Sequence, residues 1–145
     1  MEKVKILWVD DEIELLKPHI LFLERKGYIL VTANNGKDAL DMIDNEAYDI
    51  IFLDENMPGI SGLETLSLIY ENHNIPVVMI TKSEEEYIME EALGSKISDY
   101  LIKPVNPHQI LLSLKKNLDT KRLVNQKVTS NYQKEFREIS MALLD

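Results

Sequence analysis

The 145-residue sequence has no cysteine. That excludes a disulfide framework, Cys-ligated zinc and a thiol nucleophile. Long hydrophobic runs are missing too: Ile50 to Leu53 and Val77 to Ile80 are among the longest, far too short to span a bilayer. Glu2, Lys3 and Lys5 stud a strand-like N-terminus, unlike a signal peptide. Cytoplasmic placement is the simplest reading. Positive charge is scarce: the formal net charge is −9, which argues against nonspecific nucleic-acid binding by this chain alone. There is no internal repeat and no low-complexity tract.

Charge is unevenly spread. Residues 1–118 hold 21 acids against 11 Lys or Arg, and residues 119–145 hold 4 against 5. This shift predicts a boundary near Asp119, with one domain over 1–118 and a helical extension or linker over 119–145. Five short apolar segments alternate with helix-period segments: Val4 to Val9, Ile29 to Ala33, Ile50 to Leu53, Val77 to Ile80 and Tyr100 to Ile102. Nearly all-apolar strands are those covered on both faces. The pattern predicts an α/β fold, a doubly wound five-stranded parallel sheet of (βα)₅ type.

Helix starts are well marked. Ser61 with Glu64 and Ser83 with Glu86 read as capping boxes, and Asn106-Pro107 with Gln109 as an N-cap followed by Pro at N1. Asn34-Asn35-Gly36 reads as a turn before a helix. Pro18 falls inside the first predicted helix, where it should bend the axis, with Leu15, Leu16, Ile20 and Leu23 as the buried stripe. Leu111, Leu114, Leu118, Leu123 and Val128 predict a long last helix. Tyr132, Phe136, Ile139, Leu143 and Leu144 form a second stripe, still running at Asp145, so a longer natural protein is expected. His19, His73 and His108 lack ligand spacing and read as surface residues.

Ligand groups of a parallel sheet collect beyond the strands' C-terminal ends. That rule selects Asp10 and Asp11, Asp54, Thr81 and Lys103. Three carboxylates need a cation, and an oxygen-only set suits Mg²⁺. A metal, a lysine and a threonine hydroxyl together complement a phosphoryl group. An ionised Asp there can itself attack phosphorus and form an acyl phosphate. Singly, each residue has a plainer reading. Asp10-Asp11 could cap a helix, Thr81 could enter one, and Tyr100 could simply pack.

The runs Trp8-Val9-Asp10-Asp11-Glu12, Phe52-Leu53-Asp54-Glu55-Asn56-Met57-Pro58-Gly59-Ile60-Ser61-Gly62, Thr81, and Asp99-Tyr100-Leu101-Ile102-Lys103-Pro104 resemble a response-regulator receiver of flavodoxin-like fold over roughly residues 3–118. The resemblance implies Asp54 as phosphoacceptor, with a sensor histidine kinase as donor. It implies Mg²⁺ bound by Asp11, Asp54 and the Asn56 carbonyl, with Asp10 acting mainly through water. It implies that Lys103 pairs with the phosphoryl group, that Thr81 and Tyr100 switch, and that the Lys103-Pro104 peptide is cis. Glu55-Asn56-Met57-Pro58-Gly59, Met79-Ile80-Thr81-Lys82-Ser83-Glu84-Glu85-Glu86 and Leu93-Gly94-Ser95-Lys96-Ile97-Ser98-Asp99-Tyr100 are similar to PorX-type receivers. Those serve gliding and type IX secretion bacteria and carry a C-terminal PglZ effector domain, which is absent here. Dimerisation or an altered effector contact would then be the output.

Two positions depart from the receiver pattern. Lys82 stands where a small residue usually follows the switch Thr, and Lys96-Ile97 where Gly-Ala is usual. Lys82 is either a solvated side chain or a modulator of phospho-Asp54 lifetime. Two other functions compete. A phosphohydrolase would need a second Asp where Asn56 stands, and a cap for which the chain has no room. A pseudo-receiver would be a constitutive protein-binding module.

Overall fold

A computed structural model describes residues 3–82, 94 and 97–118. The Ser83–Glu86 capping box, Lys96 and the extension over 119–145 lie outside the described residues. The strands are β1 (Lys5–Val9), β2 (Ile29–Ala33), β3 (Ile50–Asp54), β4 (Val77–Thr81) and β5 (Asp99–Ile102). They form one parallel sheet in the order β2-β1-β3-β4-β5. Each lies within a residue or two of its predicted span. The described helices are α1 (Lys17–Arg25), α2 (Gly36–Asn45), α3 (Gly62–Asn72) and α4 (Pro107–Leu118).

The apolar strands feed two cores at once. Leu7, Val9, Ile51, Leu53, Val77 and Met79 pack with Ala39, Ile43, Leu66 and Ile69 of α2 and α3. Their neighbours Ile6, Trp8, Ile50, Phe52, Val78 and Ile80 pack with Leu23 of α1 and with Ile110 and Leu114 of α4. Alternate side chains point to opposite faces of a strand, so a strand with helices on both faces is apolar throughout. Every residue of β3 and β4 is buried for this reason.

The predicted cap at Ser61 forms, its Oγ accepting the Glu64 N–H at 3.1 Å. The Asn34–Gly36 turn adds a further cap, Asn35 Oδ1 accepting the Asp38 N–H at 2.8 Å. Asn106 and Gln109 cap each other reciprocally, each contact at 3.0 Å. Pro18 bends nothing. A separate 3₁₀ turn spans Ile13–Leu16, and Pro18 occupies the first turn of α1, where a missing N–H costs no helical bond. The break takes Leu15 out of the expected stripe and leaves it 70% exposed. The sequence pattern also passed over two buried residues of α4, Ile110 and Ser113. Ser113 Oγ donates to Asp99 Oδ2 at 2.9 Å, tying α4 to β5.

The loop after β3 folds back tightly onto α3. Gly62 N–H donates to the Glu55 carbonyl at 2.9 Å. A Cβ at Gly62 would collide with the Asp54 carbonyl oxygen and come within 2.6 Å of Glu55 Cα. Backbone atoms cannot swing aside, so Gly62→Ala should destabilise the domain by about 1–3 kcal/mol in urea unfolding. A loss under about 0.5 kcal/mol would show that this loop yields freely.

Candidate functional site

The strand order reverses between β1 and β3, since β2 lies beyond β1 while β4 and β5 lie beyond β3. The crevice beyond the strand ends at such a point is where open α/β sheets place ligands. Asp10 follows β1 and its N–H donates to the Ala33 carbonyl at 3.0 Å. Asp54 is the last residue of β3. Both carboxylates are almost wholly buried, whereas Asp11 beside them is exposed. One oxygen from each of Asp10, Asp11 and Asp54 lies within 4.8 Å of the others.

Lys103 binds two of these acids together. Its Nζ donates to Asp10 Oδ2 at 2.9 Å and lies 3.2 Å from Asp54 Oδ1. The other oxygen of Asp10 accepts the Glu12 N–H at 2.8 Å. Lys103 is itself anchored, because its backbone N–H donates to the Thr81 carbonyl at 2.8 Å. The Lys103–Pro104 peptide is cis. Thr81 ends β4, fully buried.

Burial raises the Asp54 carboxyl to about 6; the Asp10 charge pushes the same way, and Lys103 opposes both. Burial alone would lower the Lys103 amine, but its hydrogen bond to Asp10 and the Asp54 charge outweigh that and raise it. Tyr100, in β5, is half-buried against the α2–α3 core. Burial raises its phenol, and the negative charge of Glu55 adds to the effect. Asn56, Asp11 and Asp54 line a polar cleft of about 250 Å³ with Lys103 and Lys82. The Lys82 side chain is 68% exposed, with Nζ 3.9 Å from Glu12 Oε1.

The donor set fits Mg²⁺. It is oxygen-only, its carboxylates converge, and the raised Asp54 carboxyl reports repulsion and burial that a cation would relieve. Asp11, Asp54 and Asn56 line the cleft where such an ion would sit, with Asp10 packed beneath.

Sequence reasoning misjudged the histidines and missed Glu55. All three histidines are half-buried. His19 Nε2 donates to the Val105 carbonyl at 2.7 Å, with its ring edge-on to Trp8, and His73 pairs with Asp44 at 2.9 Å. Isolated polar residues carry no periodic signal, so such contacts between elements are not legible in sequence. Glu55 accepts the Leu63 N–H at 2.8 Å and fastens the start of α3 beside Asp54. An acid eight residues before the helical N–H that it caps matches no local capping pattern.

A family model, the response regulator receiver domain, matches residues 6–115. This chain belongs to the response regulator receiver family. The receiver is 39% identical over 113 residues to the transcriptional regulatory protein CpxR homolog of Haemophilus influenzae, across 77% of this chain and 48% of that one. It is 30% identical over 139 residues to the regulatory protein VanRc of Enterococcus gallinarum, across 96% of this chain and 60% of that one. The chain spans about half the length of most of the curated relatives it matches. A two-component response regulator from Clostridium difficile shares its fold with a TM-score of 0.77 at 31% identity, covering 85% of this receiver and 99% of that chain. A CheY-like receiver from Methanospirillum hungatei also gives 0.77, at 27% identity, covering 83% and 98%. No helix among the described residues is long and apolar enough to cross a membrane.

The raised Asp54 carboxyl makes a stability prediction for the metal-free receiver. The folded state holds this proton up to about pH 6, whereas an ordinary Asp, near 3.8, releases it earlier. The Asp54 contribution is therefore fully present below about pH 4 and lost as pH rises through about 6. The loss should amount to about 1–3 kcal/mol. In EDTA, Asp54→Asn should gain that much over wild type between pH 4 and 7 in urea unfolding. A wild-type-minus-variant difference that stays flat with pH contradicts the assignment.

Proposed function

We propose that this receiver is a phosphorylation switch in which Asp54 accepts the phosphoryl group. The carrying observation is the Lys103 amine held against Asp10 and Asp54 beside a converging carboxylate set. An Asp54 carboxylate oxygen attacks phosphorus. As the new O–P bond forms, the P–N bond to a kinase histidine breaks, and the electron pair leaves on the imidazole nitrogen. With a small donor such as acetyl phosphate, a P–O bond breaks instead. No general base is needed, because the nucleophile is already ionised. Mg²⁺, held by Asp11, Asp54 and the Asn56 carbonyl with Asp10 acting through water, would neutralise charge on the phosphoryl oxygens. Lys103 pairs with those oxygens, giving up part of its hold on Asp54.

Thr81 and Tyr100 are the switch residues in this reading. Thr81 ends the strand beside Asp54 and shares a backbone hydrogen bond with Lys103. Tyr100, in the next strand, stands opposite Met79 in register. The domain spans 1–118, and 119–145 leads to an effector outside this chain. A cytoplasmic sensor histidine kinase pathway of PorX type, controlling type IX secretion, fits the Glu55–Gly59, Met79–Glu86 and Leu93–Tyr100 sequence segments. Altered dimerisation or effector contact is the output. Asn56 stands where a phosphohydrolase would carry a second acid, so turnover of phosphomonoesters is not expected.

Beryllofluoride with Mg²⁺ should change the elution volume of the wild-type chain or its backbone amide NMR spectrum near Thr81 and Tyr100. Asp54→Asn should abolish the response. A variant that responds as wild type does would remove Asp54 from the acceptor role.

A further inference from the structure

Lys82 stands on a boundary between two clefts. One is the polar cleft holding Asp54, Asp11 and Asn56. The other is an apolar cleft of about 500 Å³ between the Ile13–Leu16 turn and the loop after β5, lined by Trp8, Leu15, Leu16 and Val105. Glu12 and Lys103 line both clefts as well. Lys103 is half-buried and held by two acids, 2.9 and 3.2 Å away. Lys82 differs in every respect. Its side chain is 68% exposed, and its contact with Glu12, itself 50% exposed, is long at 3.9 Å.

An exposed pair at that separation is held weakly, by solvent-screened attraction that barely offsets the ordering of two flexible side chains. A dianionic phosphoryl group on Asp54 would offer a lysine at the cleft mouth a stronger and more desolvated partner than one screened carboxylate. Asp54 lies at the cleft floor and is almost wholly buried, so water attacking in line with the acyl-phosphate bond must enter from the mouth.

We propose that Lys82 is a phosphoryl latch. When Asp54 is modified, Lys82 releases Glu12, pairs with the phosphoryl oxygens and closes the side from which hydrolytic water arrives. In the reaction it slows, the water oxygen bonds to phosphorus and the P–O bond to Asp54 breaks. The electron pair returns to the carboxylate, and inorganic phosphate and a proton are released. Glu12 is the resting partner and competes for the latch, so the lifetime of the switch depends on the balance between Glu12 and the phosphoryl group. This rests on the reading of Asp54 as acceptor.

The test follows decay of the acyl phosphate after labelling with acetyl phosphate and Mg²⁺ and removal of the donor, in Mg²⁺ and again in EDTA. Lys82→Ala should shorten the half-life about three- to tenfold, in both media. Lys82→Arg should retain most of it. Lys82→Met keeps bulk without charge and should decay as Lys82→Ala does. Glu12→Gln should lengthen the half-life, and the lengthening should vanish in the Glu12→Gln/Lys82→Ala double variant. A Lys82→Ala half-life equal to or longer than wild type overturns the latch, as does a Glu12→Gln effect that persists without Lys82. Wild type that takes no label overturns the acceptor reading, and the latch with it.

Discussion

The Asp10–Lys103–Asp54 ion network is the interaction on which the site depends. Two carboxylates lie almost wholly buried at adjacent strand ends, and burial, with the Asp10 charge beside it, makes Asp54 resist ionisation. One amine, 2.9 and 3.2 Å away, holds them in place without neutralising them fully, and an exposed third acid stands alongside. Such a pocket is short of positive charge by construction. A divalent cation would relieve that shortage. In the proposed switch a phosphoryl group would then redistribute it, its oxygens competing for the same lysine.

The rest of the fold makes this arrangement affordable. Every residue of β3 and β4 is buried, and two separate cores grip the sheet from opposite faces. The apolar surface removed from water there supplies the driving force that holds these charges at one edge. The loop after Asp54 is fixed by Gly62 and Glu55 against the start of α3. Lys103 is fixed through the end of β4. The acids and the amine are therefore held by backbone contacts rather than by one another alone.

Strand positions and the convergence of Asp10, Asp11, Asp54 and Lys103 were legible because both follow from local rules. Double-sided burial writes continuous apolar runs, and the strand-end rule then selects the polar residues that follow them. Caps at Ser61 and Asn106 were legible for the same reason, being contacts within a few residues. What was not legible is relational. Pro18 reads as a bend because a 3₁₀ turn followed by a new helix has nearly the same apolar spacing as one helix. The His19–Val105 and Ser113–Asp99 contacts join elements distant in sequence, and no pattern within either element announces them. Ser113 carried one faint signal, a polar residue between the buried Leu111 and Leu114.

The proposed switch divides two duties within one pocket: the carboxylates would hold the cation, and Lys103 the phosphoryl group. Calorimetric titration of Mg²⁺ into wild type, Asp54→Asn and Lys103→Met tests that division most directly. Losing a carboxylate should weaken Mg²⁺ binding by about tenfold or more, whereas losing the nearby positive charge should leave it unchanged or tighten it. Equal affinity in wild type and Asp54→Asn, or loss of Mg²⁺ binding in Lys103→Met, would contradict the account.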